Sequence, residues 1–224
     1  PGWLVAICDL AFLPLIALGL FKPLWFGSNR TNRYFLAILA CMFAANVLIH
    51  REARGIFQLT GQVGVNLMLD TLLLTLLWVA GRVMPFFTEK AVEGASPRRR
   101  PRVETVTFGG MILLGLAELA GPYPALSAGL ALVLAAVQLV RLAGWYDRGV
   151  WRIPILWVLY AGYLWLVASF VLRGLADLSL VPQSLGIHAF TVGGVGVLIL
   201  GMMSRVSLGH TGRNLRTTAM VNGA

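Results

Sequence analysis

The sequence predicts an all-α fold, a polytopic bundle of transmembrane helices. Hydrophobic residues make up 58% of the 224-residue chain and charged residues only 12%, which is too apolar for a soluble domain. Seven apolar runs are each close to the roughly 20 residues that a helix needs to cross a bilayer. We therefore expect residues 1–224 to form a single transmembrane helical domain in contact with the lipid bilayer.

The seven predicted spans follow one another along the whole chain. In order they cover residues 3–25, 34–50, 64–84, 103–120, 123–142, 153–172 and 184–204. Proline supports three of the boundaries, because it breaks or opens helices: Pro85 is expected to close the third span, Pro124 to follow the turn after the fourth, and Pro154 to open the sixth. The basic connection over residues 88–102 is long enough to be a mobile linker.

The positive charges predict an orientation. Fifteen Lys and Arg residues fall in the loops that follow odd-numbered spans, and three fall in the other loops. By the positive-inside rule, the first set is cytoplasmic and the first helix starts outside. The net charge of +9 is thus an orientation signal, and no nucleic-acid partner is expected. The run from Arg98 to Arg100 is predicted to set topology and to contact lipid headgroups.

Five ionisable residues are predicted to share one layer near the outer surface. Asp9, Asp70 and His188 lie four to six residues into helices that run inward, while His50 and Glu118 end helices that run outward. Ionisable groups at that depth are costly unless they find partners, so we expect the first three to face the interior. Alternatively, the carboxylates only bond neighbouring helices, and His50 and Glu118 are hydrated at the interface.

The segment from Gly186 to Arg213 carries a family resemblance. It is an apolar span with His188 near its start and several glycines inside, followed by a basic tail that contains His210. It resembles the signature of the NnrS family, polytopic bacterial membrane proteins described as containing haem and copper and linked to the nitric oxide response. Weaker similarity covers residues 81–88, 141–145 and 9–14. Family members are longer, so the chain is expected to be a fragment, roughly their C-terminal two thirds, truncated at both ends.

The resemblance implies haem and copper as cofactors, nitric oxide or a nitrosyl species as a partner, and protection from nitrosative stress in the bacterial inner membrane. It favours His188 as the haem or metal ligand. His50, at the same predicted depth, is a possible opposite ligand, and His210 is a third candidate imidazole. Arg205 and Arg213 are expected to hold haem propionates, or simply to end the helix. The supporting polar residues are predicted to be Asp9, Asp70, Glu118, Arg82 and Tyr160, and relatives carry a histidine where this chain has Tyr160.

Three limits apply to that site. His210 lies 22 residues beyond His188, a full membrane thickness along a continuous helix. No two histidines are three or four residues apart, so this chain alone is not expected to build a multi-histidine copper centre. Cys8 and Cys41 have no paired spacing and are interpreted as small apolar side chains.

The glycines of the seventh span predict close packing. Gly186, Gly193, Gly194 and Gly201 cluster opposite His188 on a helical wheel, so this face is expected to press against a neighbouring helix; approach of a porphyrin to the backbone is the alternative.

Two other functions remain open. The chain could be a transporter or channel that uses Asp9, Asp70 and Glu118 as ion or proton sites, or an assembly scaffold whose polar residues only lock helices.

Overall fold

A computed structural model describes the backbone of residues 2–28, 30–56, 60–120 and 123–210, and side chains as far as Ser207. This part of the chain is helical and contains no strand. The α-helices, in order, are α1 Trp3–Trp25, α2 Tyr34–Ala53, α3 Thr60–Ala91, α4 Pro101–Ala120, α5 Pro124–Trp145, α6 Pro154–Asp177, α7 Gln183–His188 and α8 Val197–His210. Short 3₁₀ turns occupy Arg30–Arg33 and Arg148–Arg152. Seven helical stretches are long and apolar enough to cross a membrane, which confirms the predicted class.

The third span ends later than predicted, and the connection that follows it is shorter than predicted. Pro85 lies inside α3, which continues to Ala91, because a proline is tolerated within a membrane helix when neighbouring groups satisfy the freed backbone. The connection before α4 is also shorter than expected and is bonded to α5 and α3. The backbone N–H of Arg98 donates to the carbonyl of Gly144 at 2.7 Å, and Nη2 of Arg99 donates to the carbonyl of Arg82 at 3.0 Å.

The chain divides into two compact units, Pro1–Thr75 and Leu76–Ala224, and the boundary falls inside α3. In unit 1, α2 approaches α3 at Gly64, where a side chain would collide with the carbonyl of Ala45 and the side chain of Ile49. In unit 2, α5 and α6 form the core. The buried residues of α5 recur every three or four positions, as expected for one face of a helix, and they are Ser127, Ala128, Ala131, Leu134, Ala135, Gln138, Arg141, Leu142 and Trp145.

The seventh span is a composite helix. Between α7 and α8, residues Ala189–Gly196 adopt a π-helical conformation, a local widening of the helix that occurs often at functional sites. The wider turn begins directly after His188, the last residue of α7.

Candidate functional site

His188 is the histidine in unit 2 whose side chain the structure describes, and one of its ring nitrogens is fixed. Nδ1 lies 2.7 Å from the backbone carbonyl of Ser184, one turn earlier in α7. A carbonyl only accepts hydrogen bonds, so Nδ1 carries the proton and Nε2 of the neutral ring keeps its lone pair. Nε2 has no hydrogen-bond partner among the described residues, and the side chain is exposed. The imidazole is thus held in an orientation that presents a free nitrogen lone pair.

The opposite face of the same span packs closely on α6, which confirms the prediction from the glycines. A side chain on Gly186 would press on the backbone of Arg173 at 3.3 Å, and one on Gly201 would meet Leu159 at 2.9 Å. Side chains at Gly193 and Gly194 would collide with Trp165 and Leu166 respectively. Small residues allow this close approach of helix backbones, and it leaves His188 directed away from α6.

Unit 1 contains a polar cluster formed by Asp9, Asn46 and His50. Asp9 Oδ2 lies 2.8 Å from Nε2 of His50 and accepts a bond of 2.9 Å from the amide of Asn46. Asp9 and His50, which were predicted to lie at one depth, are in contact across α1 and α2. Nδ1 of His50 is buried without a hydrogen-bond partner among the described residues. A carboxylate on one ring nitrogen with the other nitrogen free is an arrangement typical of histidines that bind metals.

The expectation that Asp9, Asp70 and His188 all face the interior is met by Asp70 alone. Asp70 is 8% exposed. The side chain of Asp9 is 54% exposed, and His188 is also exposed on the surface of its unit. Asp9 reaches across to Asn46 and His50 on α2 while part of its carboxylate stays exposed, whereas His188 bonds within its own helix, to the carbonyl of Ser184.

Glu118 has a partner that the sequence analysis did not identify. Its Oε1 accepts a hydrogen bond of 2.5 Å from Nη2 of Arg173 on α6, and both side chains are largely buried. Glu118 is therefore not an isolated charge. The pair links the ends of α4 and α6.

Arg141 lies at the centre of a buried polar network, although it was counted among the loop arginines. It is 3% exposed, and its guanidinium forms two bonds to the carboxylate of Glu104, at 2.8 and 2.5 Å. Nη1 donates to the carbonyl of Leu77 at 2.9 Å and to the hydroxyl of Tyr163 at 3.1 Å. Tyr163 donates to Gln138 at 2.6 Å, so four helices, α3 to α6, meet in this network.

The burial of Arg141 could have been found from sequence. Gln138, Arg141 and Trp145 are spaced three and four residues apart in α5, which puts all three on one helix face. Their face is the one that carries the apolar core residues of α5. A buried arginine requires an anion, and Glu104 is the acidic residue in the first turn of α4.

The remaining predicted site residues are not brought to His188. Arg205 lies within α8 and not in a loop; it is 7% exposed and stacks on the ring of Phe87 at 3.9 Å. It follows His188 by 17 residues, roughly 25 Å along a helix, which argues against one haem contacting both residues. Tyr160 donates to the carbonyl of Trp145 at 2.7 Å. Arg82 stacks on Trp78. Arg213 and the side chain of His210 lie outside the described residues.

Among the residues described, no group of three or more His, Cys, Asp or Glu side chains could hold a metal ion. The chain thus offers single imidazoles in place of a preassembled multi-ligand centre. A haem iron needs only one or two such protein ligands, whereas a conventional multi-histidine copper centre needs several donors in one place.

A family model described as NnrS protein matches residues 1–224, the whole chain. No curated protein and no solved structure matches significantly.

Proposed function

Because the chain belongs to the NnrS family, we propose that it is a multi-pass protein of the bacterial inner membrane that acts in the nitric oxide response and binds haem through His188. The observation that carries the proposal is the fixed imidazole of His188. Its Nδ1 is bonded to the Ser184 carbonyl and its Nε2 is free and exposed.

A neutral imidazole with one nitrogen anchored is suited to haem. The hydrogen bond from Nδ1 fixes the tautomer and the ring plane and makes Nε2 a better donor to a metal. When bound, haem would supply an iron atom that can coordinate nitric oxide. The protein's part is to hold the ring of His188 in place through Ser184 and to keep the glycine face of the same span against α6.

His50 is the second candidate ligand. Asp9 holds its Nε2, and Nδ1 remains without a partner among the described residues. Asp9 and Asn46 would then orient this ring as Ser184 orients His188. The described residues do not fit a multi-histidine copper centre, so we assign no copper ligands beyond these two imidazoles.

The test is to replace His188 with Ala in the protein and to measure the haem absorption band and haem content after purification. We expect the band to be lost, and to be restored in part by added imidazole. Ser184→Ala is the matched control, because the carbonyl that holds Nδ1 belongs to the backbone and survives the change. Full haem content with an unchanged spectrum in His188→Ala would show that another residue is the ligand.

The membrane orientation that we propose puts the loop between α3 and α4 in the cytoplasm. After Cys8 and Cys41 are replaced by Ser, a cysteine introduced at Ser96 should resist an impermeant thiol reagent in intact cells. One at Leu180, exposed between α6 and α7, should react. The reverse pattern would invert the topology.

The transporter alternative receives less support. Asp9 is bonded to His50 and Asn46, and Glu118 is bonded to Arg173. Carboxylates that already have partners must break those contacts to bind an ion. Uptake of a cation or proton into liposomes that is abolished by Asp70→Asn would nevertheless favour this function over the haem protein.

A further inference from the structure

Unit 2 carries a strongly basic surface where α3 ends, α4 begins, α5 ends and α6 begins. We call it the basic platform and define it as residues 92–102 and 146–153. Six arginines on it are exposed, against two acidic residues, Glu93 and Asp147. These arginines are Arg98, Arg99, Arg100, Arg102, Arg148 and Arg152.

The two segments of the basic platform are packed on each other. The backbone of Arg98 is bonded to that of Gly144, at the end of α5. Gly149 lies so close to Val92 that a Cβ atom added there would be 2.5 Å from the valine side chain. One of the two acidic groups is already engaged, because Asp147 accepts a bond of 2.8 Å from the backbone of Gly149. The arginines therefore project from an ordered surface with little local neutralisation.

Aromatic side chains place this surface at the membrane interface. Trp151 is 60% exposed and Tyr146 is 44% exposed, and the indole N–H of Trp151 donates to the hydroxyl of Tyr146 at 2.9 Å. Tryptophan and tyrosine concentrate at the level of lipid headgroups. Because four membrane-length helices begin or end beside these residues, we expect the arginines to lie near the depth of the lipid phosphates.

We propose that the basic platform binds the headgroups of anionic phospholipids and gives the protein a preference for them over zwitterionic lipids. Each basic residue near a negatively charged membrane surface contributes favourable free energy, and the planar guanidinium pairs with phosphate through two hydrogen bonds. An acidic protein partner fits the same charge, but the exposed indole beside the arginines favours a lipid surface. This inference is independent of haem binding.

The test uses the full chain in phosphatidylcholine vesicles with trace spin-labelled phosphatidylglycerol or phosphatidylcholine. The measured quantity is the ratio of the two lipids' association constants for the protein surface, obtained from the motionally restricted signal. We expect a clear preference for phosphatidylglycerol, and a roughly three-fold or greater fall in the ratio when Arg148 and Arg152 are both changed to Gln. Raising the salt concentration should weaken the preference.

Two variants keep the result interpretable. Lys22→Gln with Arg30→Gln removes the same charge from exposed positions of unit 1 and should alter the ratio much less. Arg148→Lys with Arg152→Lys keeps the charge and should retain most of the preference. Circular dichroism of each variant checks that the helices are intact. An unchanged ratio in the platform variant overturns the proposal and points to an acidic protein partner, and an equal fall in the unit 1 control overturns it by showing that only total charge matters.

Discussion

The two units differ in where they keep their polar groups. In unit 1, the only fully buried residue of α1 is Ala6 and that of α2 is Ala45, and the Asp9 carboxylate is exposed. In unit 2, nine residues of α5 and eleven of α6 are buried, and Arg141 is enclosed among them. One unit presents its polar cluster at the surface, and the other uses its polar network as part of the core.

The difference shows that similar contacts serve different purposes. Asp9 is 54% exposed, so we expect its pair with His50 to contribute less to stability than an enclosed pair. A buried pair such as Arg141 and Glu104 must stay complete, since loss of one partner leaves an uncompensated charge. We therefore expect the network around Arg141 to be needed for folding, and the cluster of Asp9, Asn46 and His50 to matter more for binding than for stability.

The largest effect should follow from Arg141→Met. This change leaves the carboxylate of Glu104 and the hydroxyl of Tyr163 without their donor, and breaking a buried pair in this way costs about 3–5 kcal/mol. The free energy of unfolding in mixed detergent micelles measures it. A double variant with Glu104→Leu should recover part of the loss, because no charge is then left unpaired. If the double variant is no more stable than the single one, Glu104 is not the essential partner.

A smaller loss is expected when α6 and the seventh span are forced apart. A valine at Gly194 would collide with Leu166, and overpacking of this kind costs about 1–3 kcal/mol. Gly129→Ala is the control, because nothing lies within 4 Å of the position where its Cβ would be and alanine favours the helix. The same unfolding measurement applies. Equal stability of Gly194→Val and the control would mean that this contact is not tight.

The smallest effect on stability should come from Asp9→Asn in unit 1. The carboxylate is half-exposed, and Asn keeps an oxygen that can accept from Asn46, so we expect a smaller change in the free energy of unfolding than at Gly194. Loss of its charge should still weaken binding of any ligand at His50, by about 10 to 100-fold. This affinity is measured by titrating the purified Asp9→Asn protein with haem and following the absorbance. The same titration is done on Asn46→Leu for comparison. If Asp9→Asn lowers stability and leaves the affinity for haem unchanged, the polar cluster of unit 1 serves folding and the proposed contrast between the units is wrong.

The number and order of the spans could be predicted because apolar run length is a local property. The helix ends were predicted less accurately. Helix α3 continues six residues past Pro85, and α4 begins at Pro101, two residues before the predicted start. The pairing of Arg141 with Glu104 could not be obtained from local pattern, because the two residues belong to different helices and only packing brings them together. The anchoring of His188 by Ser184 is local to one helical turn, yet its exposure depends on which face packs on α6.

Gly81 has a consequence for how this sequence can vary. Its missing side chain leaves the space that the guanidinium of Arg141 occupies, and a Cβ atom there would collide with Nη2 of that arginine. At this position the glycine makes room for a charged group, and its backbone flexibility is not what is needed. A larger residue would force the end of the Arg141 side chain to shift and would disturb its bonds to Glu104, so we expect replacement of Gly81 to be accompanied by changes at Arg141 and Glu104. Three positions far apart in sequence are thus expected to change together, as one inherited unit.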